Sequence, residues 1–234
     1  MAKKNRAPVS ATVPKPTTRE LILDEAERLI ALKGVFGFGL KDITDPLGFQ
    51  VPAIYKHYEN RDDVLVAVSR RYIALLSRQF RYPAEALAHP TEALKRVVAE
   101  FVQFHMEHPA YVRLSLVDYA TPEGGMEYIR RAAGGPFRAN LNTGPLAPMH
   151  RRLRKLIRAG QAAGEFRLVP ELDFYRAIKA ALLIRLVFPD DLLIDTNPKR
   201  SVVRSIEASL WDTAYHYIAA PPPKAVQKTR GSAA

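Results

Sequence analysis

The residues best equipped for chemistry lie in one stretch, LKDITDPLGFQVPAIYKHYENRDDVL, residues 40–65. Lys41, Gln50, Tyr55, Lys56, His57 and Arg61 are all hydrogen-bond donors, and four of them are basic or protonatable. Amide, phenol, ammonium and guanidinium donors at such spacing suit contacts to phosphate oxygens and to base edges. Val51, Pro52 and Ala53 sit among them and offer only apolar contact, of the kind a thymine methyl accepts. Catalytic chemistry finds no such cluster. No glycine-rich phosphate loop, nucleophile elbow or paired carboxylates beside a histidine occur at recognisable spacing, so an enzyme is not expected.

These donors require two short helices and a tight turn to hold them. Lys41 to about Leu47 reads as the first helix, with Ile43 and Leu47 on one face; Gly48 makes the turn. Gln50 to Tyr58 reads as the second helix, with Pro52 tolerated in its first turn. Two short helices around a glycine turn are a helix-turn-helix, whose second helix fits a DNA major groove. Pro46 removes a backbone donor near the end of the first of them, which predicts a short or kinked helix. On either side stand longer helices. Thr17-Thr18-Arg19-Glu20 has the capping-box pattern, Ile22, Ala26, Leu29 and Ile30 follow at helical spacing, and Gly34 ends the run. Asn60 is placed to cap another helix, with Asp62 and Asp63 at its positive end and an apolar stripe running towards residue 80.

The rest of the chain also has helical periodicity, over about 90–107, 109–119, 125–133, 146–163, 170–188 and 198–219, with GGPFRANLNTGPLAP as a loop. No period-2 strand is visible. The fold predicted is all-α, a three-helix amino-terminal helix-turn-helix domain followed by a helical ligand-binding and dimerisation domain. The expected divisions are a disordered basic arm (1–16), the DNA-binding domain (17–62), the effector-binding and dimerisation domain (63–220) and a disordered tail (221–234).

Order and spacing in the first quarter resemble the TetR family of bacterial regulators. Gly34, Ile43, Gly48-Phe49, Ile54-Tyr55, Tyr58 and Arg61 stand in register with that family's pattern over residues 18–72. Phe38 and Gly39 depart from it, standing where the family usually has threonines, and Thr44 replaces a small apolar residue. The resemblance implies that Tyr55 and His57 contact phosphate and that Arg61 is a basic anchor at the start of the fourth helix; Tyr58 reads as core, packed against the first helix. It also implies a homodimer through the last two long helices, a palindromic double-stranded operator, and release of a repressor by a small-molecule effector.

Composition agrees with a polyanionic partner: 234 residues, a net charge of +11 and a pI near 9.9. The excess is dispersed, since residues 1–80 hold 13 Lys+Arg against 9 Asp+Glu. The densest run, Arg151 to Arg158, has Leu153, Leu156 and Ile157 on one face, so its basic residues read as a solvated side. With no cysteine, disulfides and thiolate-bound zinc are excluded. His105 and His108 lack the further ligands a metal needs, and neither metal nor cofactor is expected. No apolar run reaches the ~18 residues of a membrane helix and no secretory signal precedes the fold, so the expected location is cytoplasmic.

For the effector, Phe101, Phe104, His105, Tyr111 and Arg185 are candidate pocket residues between bundle helices. For the dimer, Val202, Ile206, Leu210, Ala214 and Tyr217 form an apolar stripe on the last helix. The alternative reading is an architectural DNA-binding protein without an effector, using its dispersed positive charge.

Overall fold

The structure, a computed structural model, describes residues 15–119, 127–133, 143–187 and 200–221. The expected arm and tail, and most of the expected loop over 134–148, lie outside the described residues. Ten α-helices account for about three quarters of the described residues. The β contacts among the described residues amount to an isolated antiparallel bridge between Phe166 and Ala219.

Helix α1 (Thr18–Lys33) begins where its cap makes it begin. The Thr17 hydroxyl accepts from the Glu20 amide at 3.3 Å, and the Glu20 carboxylate accepts from the Thr17 amide at 2.7 Å. The helix ends at Gly34, whose φ of 77° is open only to a residue without a Cβ. Its buried edge is Ile22, Leu23, Ala26, Leu29 and Ile30.

Helix α2 (Leu40–Leu47) keeps its eight residues despite Pro46. No side chain is available at Gly39 to cap it, so Asp42 reaches back and accepts from the Gly39 amide at 2.8 Å. Gly48 closes it in the left-handed conformation, φ 68° and ψ 24°, with its amide donating to Asp45 and the Phe49 amide to Thr44.

Helix α3 corrects the sequence reading. Regular helix spans Pro52–Tyr55, four residues instead of the nine expected from Gln50 to Tyr58. Pro52 has no amide to give, and three-residue bonds carry the chain on either side: Ala53 to Gln50 at 2.8 Å, Ile54 to Val51 at 3.0 Å, His57 to Ile54 at 2.8 Å. Helix α4 (Arg61–Leu76) starts at Asn60, whose side chain accepts from the Asp63 amide at 2.9 Å.

Beyond α4 the chain turns through Phe80, buried at a φ of 58°, and a 3₁₀ turn at Ala84–Ala88 that the periodicity did not reveal. Helices α5 (Pro90–Glu107) and α6 (Pro109–Tyr119) match the expected ranges to the residue, because Pro90 and Pro109 fix both starts. Helices α7 (Glu127–Ala133), α8 (Ala147–Ala162), α9 (Glu171–Val187) and α10 (Arg200–Ile218) complete the body. The body joins the amino-terminal helices mainly through α7 against α4 and α6 against α1. Described residues from Ile22 to Ile218 contribute to one buried apolar cluster.

Two further expectations are corrected here. The stripe on α10 is spent inside the subunit: Ile206, Leu210 and Ala214 are buried against α5 and α9, so it is not an outward pairing face. The basic run on α8 is not wholly solvated either. Leu153, Leu156 and Ile157 are buried as expected, and Arg151, Lys155 and Arg158 are exposed. Arg152, however, donates to the Ser77 and Gln79 carbonyls, and Arg154 to Glu171 at 2.8 Å.

Candidate nucleic-acid interface

Helix α3 is held from beneath and open from above. Ile54 is fully buried and Tyr58 5% exposed, both packed into the core that α1 and α4 share. Burying each is worth about 1.5–3 kcal/mol, which seats so short a helix. Tyr58 is further fixed by Arg19, whose Nε donates to its hydroxyl at 3.3 Å with the guanidinium 5.5 Å from the ring centroid.

The helical repeat then places the neighbouring side chains outward. Tyr55 is 58% exposed, and Gln50, Pro52, Lys56 and His57 are exposed with it. Val51 and Ala53 are half-buried flanks, and Lys41 is exposed on α2. The two tyrosines three residues apart are thus divided between solvent and core. The structure brings together on one surface every sequence candidate for DNA contact on α3 and its flanks.

Arg61 is the exception. Its Nε donates to the Phe38 carbonyl at 3.0 Å, a terminal nitrogen donates to the Val35 carbonyl, and the guanidinium stacks 4.7 Å from the Phe38 ring centroid. The expected phosphate anchor is therefore directed into the α1–α2 connection, where it satisfies carbonyls that follow the end of α1. Thr44, another departure from the family pattern, is buried, and its hydroxyl donates to the Lys41 carbonyl at 3.1 Å.

The effector candidates fall into two groups. Phe101, Phe104, His105 and Tyr111 come together around Tyr72, as a packed core. The Tyr72 and Tyr111 rings are 4.7 Å apart and the Phe101 and His105 rings 4.4 Å. His105 bonds the Phe101 carbonyl through Nδ1 at 2.8 Å and faces the Tyr72 hydroxyl through Nε2 at 3.4 Å. Burial, reinforced by the nearby Lys179 charge, pushes its pKa down to about 3, so it is neutral at pH 7. Tyr111 donates to Glu27 at 3.1 Å, and burial with that carboxylate pushes its phenol up. Arg185 does not bury itself there; it is half-buried beside exposed Ile184.

The buried cation of α9 is instead Lys179, 7% exposed, with Nζ 3.4 Å from the Tyr72 hydroxyl. Its burial is not legible in the sequence, because AIKAALL has no period that separates Lys179 from its exposed neighbour Ala180. Also unforeseen was the seam between the body and α4. The Tyr128 hydroxyl donates to Asp62 at 3.3 Å and Arg131 pairs with Asp63 at 3.0 Å. Only tertiary packing reveals it. Among the described residues no group of three or more His, Cys, Asp and Glu side chains is arranged to hold a metal, and no helix is long and apolar enough to cross a membrane.

Helix α2, the Gly48 turn and an outward α3 on a buried Ile54–Tyr58 footing define a helix-turn-helix protein. Residues 22–68 match the sequence model for bacterial regulatory proteins of the tetR family. An uncharacterised HTH-type transcriptional regulator of Bacillus subtilis (strain 168), YerO, is 28% identical over 108 residues; the match spans 45% of this chain and 37% of that protein. The whole fold is similar to a tetR-family regulatory protein from Rhodococcus RHA1, with a TM-score of 0.63, 18% identity, and 88% of this chain and all of the other covered. It is also similar to SmeT, the repressor of a Stenotrophomonas maltophilia multidrug efflux pump, with a TM-score of 0.55, 20% identity, and 88% and 92% covered. Bacillus subtilis FadR, solved with stearoyl-CoA, gives a TM-score of 0.57 at 15% identity over 83% and 96% of the two chains. Its amino-terminal part, residues 22–68, is thus similar to the tetR family of bacterial regulatory proteins.

Proposed function

We propose that the chain is a transcriptional regulator that binds double-stranded DNA as a homodimer, and that it acts as a repressor released from a palindromic operator by a small molecule. The observation that carries this is the α3 surface, where Gln50, Pro52, Tyr55, Lys56 and His57 face outward from a rigid footing. Tyr55, Lys56 and His57 take the phosphate contacts, and Gln50 with Pro52 meets base edges. Lys41 adds a contact from α2, and Val51 and Ala53 flank the groove side. Arg61 serves this surface indirectly, by bracing the α1–α2 connection against α4. Residues 17–62 act as the reading head and 63–220 as the body.

One reading head contacts too few base pairs for useful specificity, and a dyad brings a second about 34–36 Å away, one turn of DNA. Pairing through α9 and α10 has support in the apolar side chains they leave outside: Ile184 at 56% exposure, and Tyr215 at 41% with Trp211 5.4 Å from it. The effector reading draws on the polar groups inside the body, Tyr72, His105 and Lys179, and on the FadR complex with stearoyl-CoA, a protein of the same fold. Such a ligand would act by binding one arrangement of the two heads better than the other. No catalytic role and a cytoplasmic location complete the reading.

The test is selection of bound duplexes from random DNA by the full-length chain. An enriched inverted repeat is the expected result. Retention of all sequences alike would favour the architectural alternative, and retention of none would sink DNA binding altogether.

A further inference from the structure

A cleft of about 480 Å³ opens where the reading head meets the body. Three guanidinium groups from three helices line it: Arg19 of α1, Arg70 of α4 and Arg131 of α7. Tyr58, Val66 and Ala67, each no more than 5% exposed, form its apolar floor. The carboxylates facing it are Glu59 and Asp63, and Asp63 already holds Arg131 at 3.0 Å. Among the described residues, Arg19 is held only by the Tyr58 hydroxyl and ring. Arg70 is exposed and has no hydrogen bond or ion pair among the described residues.

From this arrangement we infer that the cleft is a second ligand site, for a small phosphate ester whose anionic head is gripped by Arg19, Arg70 and Arg131 and whose apolar part rests on Val66 and Ala67. Guanidinium forks bind phosphate oxygens in pairs, and three of them around one cleft exceed what Glu59 and Asp63 neutralise. The volume falls in the range of small-molecule sites. The site is separate from the body interior that the proposed effector would use.

Occupancy has a mechanical consequence. A phosphate that recruits Arg131 competes with Asp63 for it and so loosens the seam between α7 and the first turn of α4. The same ligand draws Arg19 from Tyr58, which supports α3. Binding here therefore changes how the reading head is held, a step that rests on the DNA-binding reading although ligand binding itself does not.

Calorimetry on the full chain tests the site, with phenyl phosphate as probe and phenol and sulfate at matched ionic strength as controls. Saturable one-to-one binding of phenyl phosphate is expected, with phenol and sulfate inert. Arg70→Gln leaves no buried partner behind and should weaken binding roughly tenfold, the loss of one charge-assisted hydrogen bond. Arg131→Gln should weaken it similarly while circular dichroism shows both variants folded. Phenyl phosphate that binds no better than sulfate, or binds both variants like the wild type, overturns the proposal. On a selected duplex, phenyl phosphate should shift affinity for the wild type, and Arg70→Gln should need roughly tenfold more ligand for the same shift. If Arg70→Gln instead lowers duplex affinity and the salt slope with no ligand present, the cleft grips the DNA backbone and the small-molecule site is refuted. A chain that binds phenyl phosphate but no duplex retains the site and loses only the regulatory reading.

Discussion

The Arg61 guanidinium stacks on the Phe38 ring at 4.7 Å while its Nε bonds the Phe38 carbonyl at 3.0 Å. One side chain at the start of α4 thereby fixes the segment that positions α2. Arg61→Ala should destabilise the fold by about 1–3 kcal/mol, since backbone carbonyls lose a charged donor and a ring loses its cation. Duplex affinity should fall with it while the salt slope stays unchanged. Urea titration and anisotropy at several salt concentrations check both; a slope lowered by about one unit per bound subunit with intact stability would return Arg61 to the phosphate-contacting set.

Lys56 is the opposite case, an exposed charge on the outward face of the α3 turn. Lys56→Ala should leave stability within about 0.5 kcal/mol of wild type, as for most surface changes. Binding should weaken by a similar factor on specific and random duplexes, with the slope of log K against log salt reduced by roughly 0.9 for each subunit bound, roughly 1.8 for the dimer. A loss confined to one base position would instead make Lys56 a base reader.

Two buried histidines set an acid limit on stability. His105 is pushed down to about 3 and His150 to about 4, in both cases chiefly by burial. Each is neutral in the folded chain and gains a proton more readily when unfolded, near pH 6.5. Their contribution is complete above about pH 6.5 and is lost as pH falls towards 4 and 3. Thermal melts should show a midpoint that declines from pH 6.5 to 4. Among the described residues His150 Nε2 has no hydrogen-bond partner, so His150→Leu should flatten that decline without loss of stability at pH 7. A wild-type midpoint constant over this range would contradict the burial of both.

Gly160 is required by contact. A Cβ there would lie 2.0 Å from Cδ2 and 2.3 Å from Cε2 of Phe166, the residue bridged to Ala219 at the carboxyl end of the fold. Gly160→Ala should cost about 1–3 kcal/mol through overpacking, and adding Phe166→Leu should recover part of it. A destabilisation in the double variant equal to the sum of the two singles would mean the residues do not interact.

Local signals explain most of what the sequence disclosed. The side chains of Thr17, Glu20 and Asn60 cap amides within three residues, and Gly34, Gly48, Pro90 and Pro109 act through their own backbone, so the helices they bound are readable from local sequence. The outward Tyr55 and inward Tyr58 follow from spacing and from the family resemblance together. What escaped depends on residues distant in sequence. Position alone marks Arg61 as an anchor at the start of α4, while its carbonyl partners lie 23 and 26 residues away. Arg185 drew notice as the charge in an apolar run, whereas the packing buries Lys179. The stripe on α10 was visible, but not that α5 and α9 of the same chain would cover it. The length of α3 was overestimated because composition does not show where four-residue bonds give way to three-residue ones.

Hydroxyl-radical footprinting of the full-length chain on its selected duplex tests the central claim, that the Gln50–His57 surface enters a major groove, most directly. The account predicts two protected backbone segments flanking adjacent major grooves about one helical turn apart, both lost together in a Tyr55→Ala, Lys56→Ala double variant that remains folded. Protection unchanged in that variant, or spread evenly along the duplex, would contradict it.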